Sequence, residues 1–201
     1  EVMNDLGNAS NAEKEFVLKC FAHDKCKANG ISPANIIFAE TIEKSFLLGS
    51  YNGNTNIINI YSGRVRAART IEEFANCIRT INHEIEHYIQ CIDKTNGKFS
   101  FRGYISSMNY FLRHYIDHFN YENNYSYCEI EQHADFNAYN DTINIIKKYY
   151  TGDLSFLDSF IKKRDNKRIN VENLGYHLDS EQNIESRSQF NIKTLINIIG
   201  K

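Results

Sequence analysis

The chain has almost no net charge. Its 23 Lys and Arg against 25 Asp and Glu give a formal charge of −2. That balance provides no electrostatic reason to expect a nucleic acid or an anionic membrane as partner. It also lacks any apolar run near the ~18 residues that a spanning helix requires, so no membrane span is expected. Cysteine is present without a framework: five residues, an odd number, with no CxxC pair. This argues against a disulfide-stapled fold and favours a reducing compartment, cytoplasmic or reached by delivery, with secretion left open. The single proline marks no linker, and there is no internal repeat. No signal-peptide pattern is visible from Glu1 onward, which says nothing about what preceded it.

What the chain does have is strong local punctuation. Its 201 residues suit a single domain, 1–201, with a sheet-containing part to about residue 97 and a helical part after it. Ser10-x-x-Glu13 is a capping box, opening a helix expected to run to about Asn29, where Gly30 supplies a left-handed terminator. "NIIFAE" (35–40) and "SFLLGSYNGNTNIINIYSG" (45–63) read as two or three strands. The second segment is a hairpin turning at Asn52-Gly53, which predicts a small antiparallel sheet. Thr70-x-x-Glu73 is a second capping box. Ile71, Phe74, Ile78, Ile81, Ile85, Ile89 and Ile92 follow at helical steps, predicting a helix that ends near Thr95-Asn96-Gly97. Further helices are expected over about 103–119, 127–150, 154–164 and 181–199. The basic run Lys162-Lys163-Arg164 with Lys167-Arg168 reads as a solvated helix end. Helix, small sheet, then helices is an α+β order.

Within the second capped helix lies "TINHEIEHYIQ" (80–90). At ~100° per residue, His83 and His87 stand about 40° apart and one turn along the same face, so both imidazoles can bind one ion. Zinc suits neutral imidazole with carboxylate and keeps an open position for water. A neighbouring carboxylate can then take that water's proton and pass it to a leaving amine. Helix geometry leaves Glu84 and Glu86 equivalent for this task, since they flank the histidine midpoint at opposite angles.

His83-Glu84-Ile85-Glu86-His87 resembles the HExxH signature of the zincin metallopeptidases. The resemblance implies His83 and His87 as zinc ligands, Glu84 as general base, a zincin-like fold, and hydrolysis of a peptide or protein substrate by a zinc-activated water. Glu131-x-x-Ala134-Asp135 resembles the downstream E-x-x-A-D of gluzincins. That likeness implies Glu131 as third ligand and Asp135 as the carboxylate that hydrogen-bonds a ligand histidine and raises its basicity.

Local rivals to Glu131 are Glu129 and His133, about 200° away on the same helix. Asp93 stands where metzincins place a third ligand, but Gln90 replaces the glycine that motif requires. His114 and His118 form a second H-x-x-x-H with Tyr115 in the base position and read as ordinary helix residues; His23 reads as a surface residue. Tyr176 and His177, in "NLGYHLD" (173–179), are the residues available to stabilise an oxyanion. Zincins commonly bind substrate by strand addition at a sheet edge, which here would be Ser45–Ser50 or Thr55–Tyr61. The alternative to a protease is a zincin-fold binding or regulatory module that keeps the metal helix and acts through partner contacts.

Overall fold

A computed structural model describes residues 1–40, 48–53, 55–93, 98–99 and 129–173. The expected helices at 103–119 and 181–199, together with His114, His118, Tyr176 and His177, lie outside the described residues.

After a 3-10 turn at Val2–Asn4, helix α1 spans Asn11–Ala28. Ser10 Oγ accepts the Glu13 N–H at 3.2 Å, and the Glu13 carboxylate takes the Ser10 N–H at 2.8 Å, so the capping box is closed. Gly30, at φ 67°, turns the chain out of the helix. Strands β1 (Asn35–Ala39), β2 (Gly49–Asn52) and β3 (Ile57–Tyr61) follow, then a short helix α2 (Ser62–Ala67). Helix α3 covers Ile71–Cys91, capped by Thr70 and Glu73 in the same reciprocal way as α1. A two-stranded ribbon comes next, β4 (Ile92–Asp93) with β5 (Lys98–Phe99), and then helices α4 (Glu129–Tyr149) and α5 (Leu157–Asn173).

The architecture is α+β, but the sheet is mixed rather than antiparallel. Its order is β1-β3-β2, with β1 parallel to β3 and β2 antiparallel to it. The hairpin sets the antiparallel pair locally. β1 then joins the opposite edge of β3, a non-local pairing that no turn residue specifies. The hairpin loop is also longer than a two-residue Asn-Gly turn. It extends to Asn56, which takes the left-handed conformation at φ 55°. Two helix ends differ from expectation as well. α3 stops at Cys91, where Ile92 turns extended and pairs with Phe99, and α5 continues to Asn173 through the basic run.

α3 is the central element, packing on α1, on β2 and β3, and along α4, which in turn packs on α5. Its apolar stripe of Phe74, Ile78, Ile81 and Ile85 is fully buried. Each such side chain contributes roughly 1.5–3 kcal/mol relative to exposure. Ile58 and Ile60 supply the sheet's inward face, and Leu18, Ala22, Ile143 and Ile146 close the core from the helices. What distinguishes α3 is the polar load it buries beside that stripe: Thr80, Asn82, Glu84 and Glu86.

Candidate metal centre

The heptad-like face that buries Ile78, Ile81 and Ile85 leaves His83 and His87 pointing toward α4, each half-buried. Their ring centroids are 4.7 Å apart and nearly perpendicular, and their Nε2 atoms approach to 3.1 Å. From α4, the buried Glu131 reaches both: Oε2 is 3.1 Å from His83 Nε2, and Oε1 is 3.3 Å from His87 Nε2. Ligand-type atoms of His83, His87 and Glu131 lie within 4.8 Å of one another, and this is the cluster that could hold a metal among the described residues.

The spacing can be tested against zinc. Bonds of about 2.0–2.1 Å in a tetrahedron put neighbouring ligand atoms about 3.3 Å apart. The two Nε2 atoms, 3.1 Å apart, stand near that spacing, and each has one oxygen of the Glu131 carboxylate at a similar distance, Oε2 at 3.1 Å from His83 and Oε1 at 3.3 Å from His87. Two imidazole nitrogens and a carboxylate also form the donor set that zinc accepts. The residues present fit the ion, and the two histidine side chains keep 15% of their surface exposed.

Without a metal, protons take its place. Burial opposes charge on His83, but Asp135 and Glu131 outweigh it and raise the imidazole to about 9. His87 is raised for the same reason, with burial opposing and Glu131 prevailing. Burial works against ionisation of Glu131, yet the two histidines hold its carboxyl well below the usual range. Asp135 behaves likewise: burial opposes its charge, and His83 and then Lys167 keep it ionised.

Asp135 sits one turn after Glu131 on α4, with Oδ1 3.0 Å from His83 Nδ1. That nitrogen has no well-aligned acceptor, so the contact is an ion-pair approach rather than a linear hydrogen bond. His87 Nδ1 is 2.9 Å from Gln90 Oε1. Each Nδ1 therefore faces an oxygen, leaving each Nε2 toward Glu131.

The two glutamates that helix geometry left equivalent face different neighbours. Glu86 turns toward α1 and α4, where its oxygens meet Lys25 Nζ at 2.5 Å and Asn137 Nδ2 at 2.9 Å. Lys25 also pairs with Asp141 at 2.6 Å, so Glu86 is committed to a buried ionic cluster. Glu84 turns the other way, against β2. A Cβ built on Gly49 would sit 3.1 Å from Glu84 Cγ and 2.9 Å from Thr80 Cγ2, so the strand approaches this closely because residue 49 is glycine. Burial raises the Glu84 carboxyl, while His83, His87 and the Tyr51 N–H partly offset the shift.

β2 is an outer strand of the three-stranded sheet, whereas β3 is paired on both sides. Among the described residues this settles which hairpin arm is the edge beside α3: Gly49–Asn52, not Thr55–Tyr61. Since the Tyr61 N–H bonds the Leu48 carbonyl, the register turns the backbone groups of Gly49 and Tyr51 away from β3. A cavity of about 290 Å³ lies at the same end of α3, bordered by Leu48, Ile60, Cys77 and Thr80.

Of the rival ligands, Asp93 lies in β4, its backbone paired with Lys98, and His133 is 3.5 Å from Asn137 on the Glu86 side of α4. Glu129 opens α4. His23, exposed beside Asp24, matches its reading as a surface residue. Two residues at the site were not anticipated: Arg79 and Lys167, both on Asp135. Arg79 had a legible signal, since it stands one turn before His83 on the same face. Lys167 lay hidden in a basic run. No protein-family model, curated protein or solved structure matches this chain.

Proposed function

We propose that the chain is a zinc-dependent metallopeptidase of gluzincin-like, zincin-type organisation, with His83, His87 and Glu131 as zinc ligands, Glu84 as general base and Asp135 behind His83. The observation that carries this reading is the convergence of two Nε2 atoms and one carboxylate at 3.1–3.3 Å, on the motif helix and the helix packed along it.

Zinc bound there would polarise a scissile carbonyl and acidify the attacking water. The chain's own residues supply the rest of the chemistry. Glu84, its carboxyl raised by burial, takes the water's proton and returns it to the leaving amine. Asp135 stands 3.0 Å from His83 Nδ1, which favours the proton on that nitrogen and leaves Nε2 to the metal side. Glu131 stays ionised and brings the negative charge that a dication needs. β2, an outer strand of the sheet, would lie alongside an extended peptide directly beside Glu84.

The test is a peptide-library assay of the zinc-loaded chain with two glutamine variants. Glu84→Gln should retain zinc and lose hydrolysis, while Glu86→Gln should retain both. Full activity in Glu84→Gln refutes the base assignment. Bound zinc with no cleavage of any peptide would favour the binding-module alternative.

A further inference from the structure

The Asp135 carboxylate does more than face His83. Its Oδ1 lies 3.0 Å from His83 Nδ1 and 3.2 Å from Arg79 Nη1, and its Oδ2 lies 2.8 Å from Lys167 Nζ. Three helices meet in one carboxylate: α3 through Arg79 and His83, α4 through Asp135, and α5 through Lys167. The three clamp side chains are about four-fifths buried, with Arg79 21%, Asp135 19% and Lys167 22% exposed. Arg79 is held a second time, its guanidinium carbon 5.3 Å from the Tyr139 ring centroid. Tyr139 stands one turn after Asp135 and meets Phe160 of α5 edge-on, with centroids 5.7 Å apart. The cations and the ring therefore form one packed unit behind the site.

A carboxylate with one partner can rotate between rotamers; one gripped on both oxygens cannot. We propose that Arg79 and Lys167 are positioning residues for the metal centre. They fix Asp135 against His83 Nδ1, and so fix the tautomer and ring orientation with which His83 presents Nε2. The docking of α5 thereby becomes a determinant of metal affinity. This inference rests on the zinc reading above.

Two competing effects make the sign informative. Direct electrostatics opposes the clamp, because a cation so near the site repels a dication, and removing it would tighten binding. Acting through Asp135, the same cation supports binding, and its removal weakens it. A purely structural role in docking α5 would weaken binding whether or not Asp135 is present.

The experiment is a double-mutant cycle on the full chain, reading zinc affinity by competition with a chromophoric chelator. Asp135→Ala should bind zinc about 10–100-fold more weakly, the usual cost of losing the carboxylate behind a ligand histidine. Lys167→Met should weaken binding about five-fold in the native background, less than the loss of Asp135 itself. In the Asp135→Ala background Lys167→Met should leave affinity unchanged or raise it, whereas in the native background Lys167→Arg should bind zinc as tightly as the native chain. The d–d bands of the cobalt(II)-substituted protein should shift in Lys167→Met and not in Lys167→Arg. Equal weakening in both backgrounds, or binding as tight as native in Lys167→Met, overturns the proposal. If Lys167→Met does not fold, Arg79→Gln enters the same cycle with the same expected signs. A native chain that binds no zinc defeats the zinc reading itself, whereas tight native binding without coupling defeats only the positioning role.

Discussion

Raising the pH of the zinc-free protein should destabilise it, and the size of the effect follows from the site. The imidazole of His83 titrates at about 9 in the folded chain against 6.5 for an unperturbed histidine, because burial is outweighed by Asp135 and Glu131. Each pKa unit corresponds to about 1.36 kcal/mol, so the folded state gains up to about 3 kcal/mol from binding that proton. A raised histidine contributes fully below its unfolded value and loses its contribution as pH rises through the folded value. The window is therefore pH 6.5 to somewhat above 9. The lowered carboxyls of Glu131 and Asp135 act at the other end, contributing above the ordinary carboxylate range and failing in acid. For a chain of this length about 1 kcal/mol moves the midpoint by roughly 2–4 °C, so the loss corresponds to roughly 6–12 °C. The assay is thermal unfolding in a strong chelator, stepped from pH 6 to pH 9.5, with His83→Gln alongside. The native chain should lose thermal stability across this window and His83→Gln should lose much less. With saturating zinc the trend should vanish, because the metal replaces the proton. A flat profile in chelator, or the same slope in His83→Gln, would refute the account of the empty site.

Other consequences can be checked with single variants. Gly49→Val must push β2 off α3 or displace Glu84, since a Cβ alone would lie 2.9 Å from Thr80 Cγ2. It should cost about 1–3 kcal/mol and at least ten-fold in peptide hydrolysis, with zinc content unchanged in metal analysis. Lys25→Met strands Glu86, 8% exposed, beside Asp141, and should lower the unfolding free energy in urea by about 3 kcal/mol. Adding Glu86→Gln should recover part of that loss. Glu131→Ala should reduce zinc stoichiometry in dialysed protein; unchanged content would move the third ligand elsewhere.

How much of this was legible beforehand divides by range. The two capping boxes and Gly30 are local devices whose partners lie within a few residues, and they set the starts of α1 and α3 and the exit from α1 as read. The end of α3 was misplaced because Ile92, which continues the helical apolar rhythm, is equally suited to the ribbon with Phe99. The parallel pairing of β1 with β3 involves no turn signal, so strand patterning could not distinguish it from an antiparallel sheet. At the site, His83, His87, Glu131 and Asp135 followed from spacing and resemblance, and the structure brings the four together. The choice between Glu84 and Glu86 had no answer within the helix. It depends on what packs on either side: Lys25 and Asn137 against Glu86, a close-approaching glycine against Glu84. Lys167 was obscured by its neighbours, since a run of lysines and arginines looks solvated even when one member turns inward.

The central claim is the identity of the metal ligands, and zinc K-edge X-ray absorption of the reconstituted chain tests it most directly. The reconstituted chain should hold one zinc, with two imidazole nitrogens and carboxylate oxygen at about 2.0–2.2 Å and no sulfur. A sulfur shell at about 2.3 Å, drawn from cysteines such as Cys77 or Cys91, or a protein that takes up no zinc at all, would contradict it.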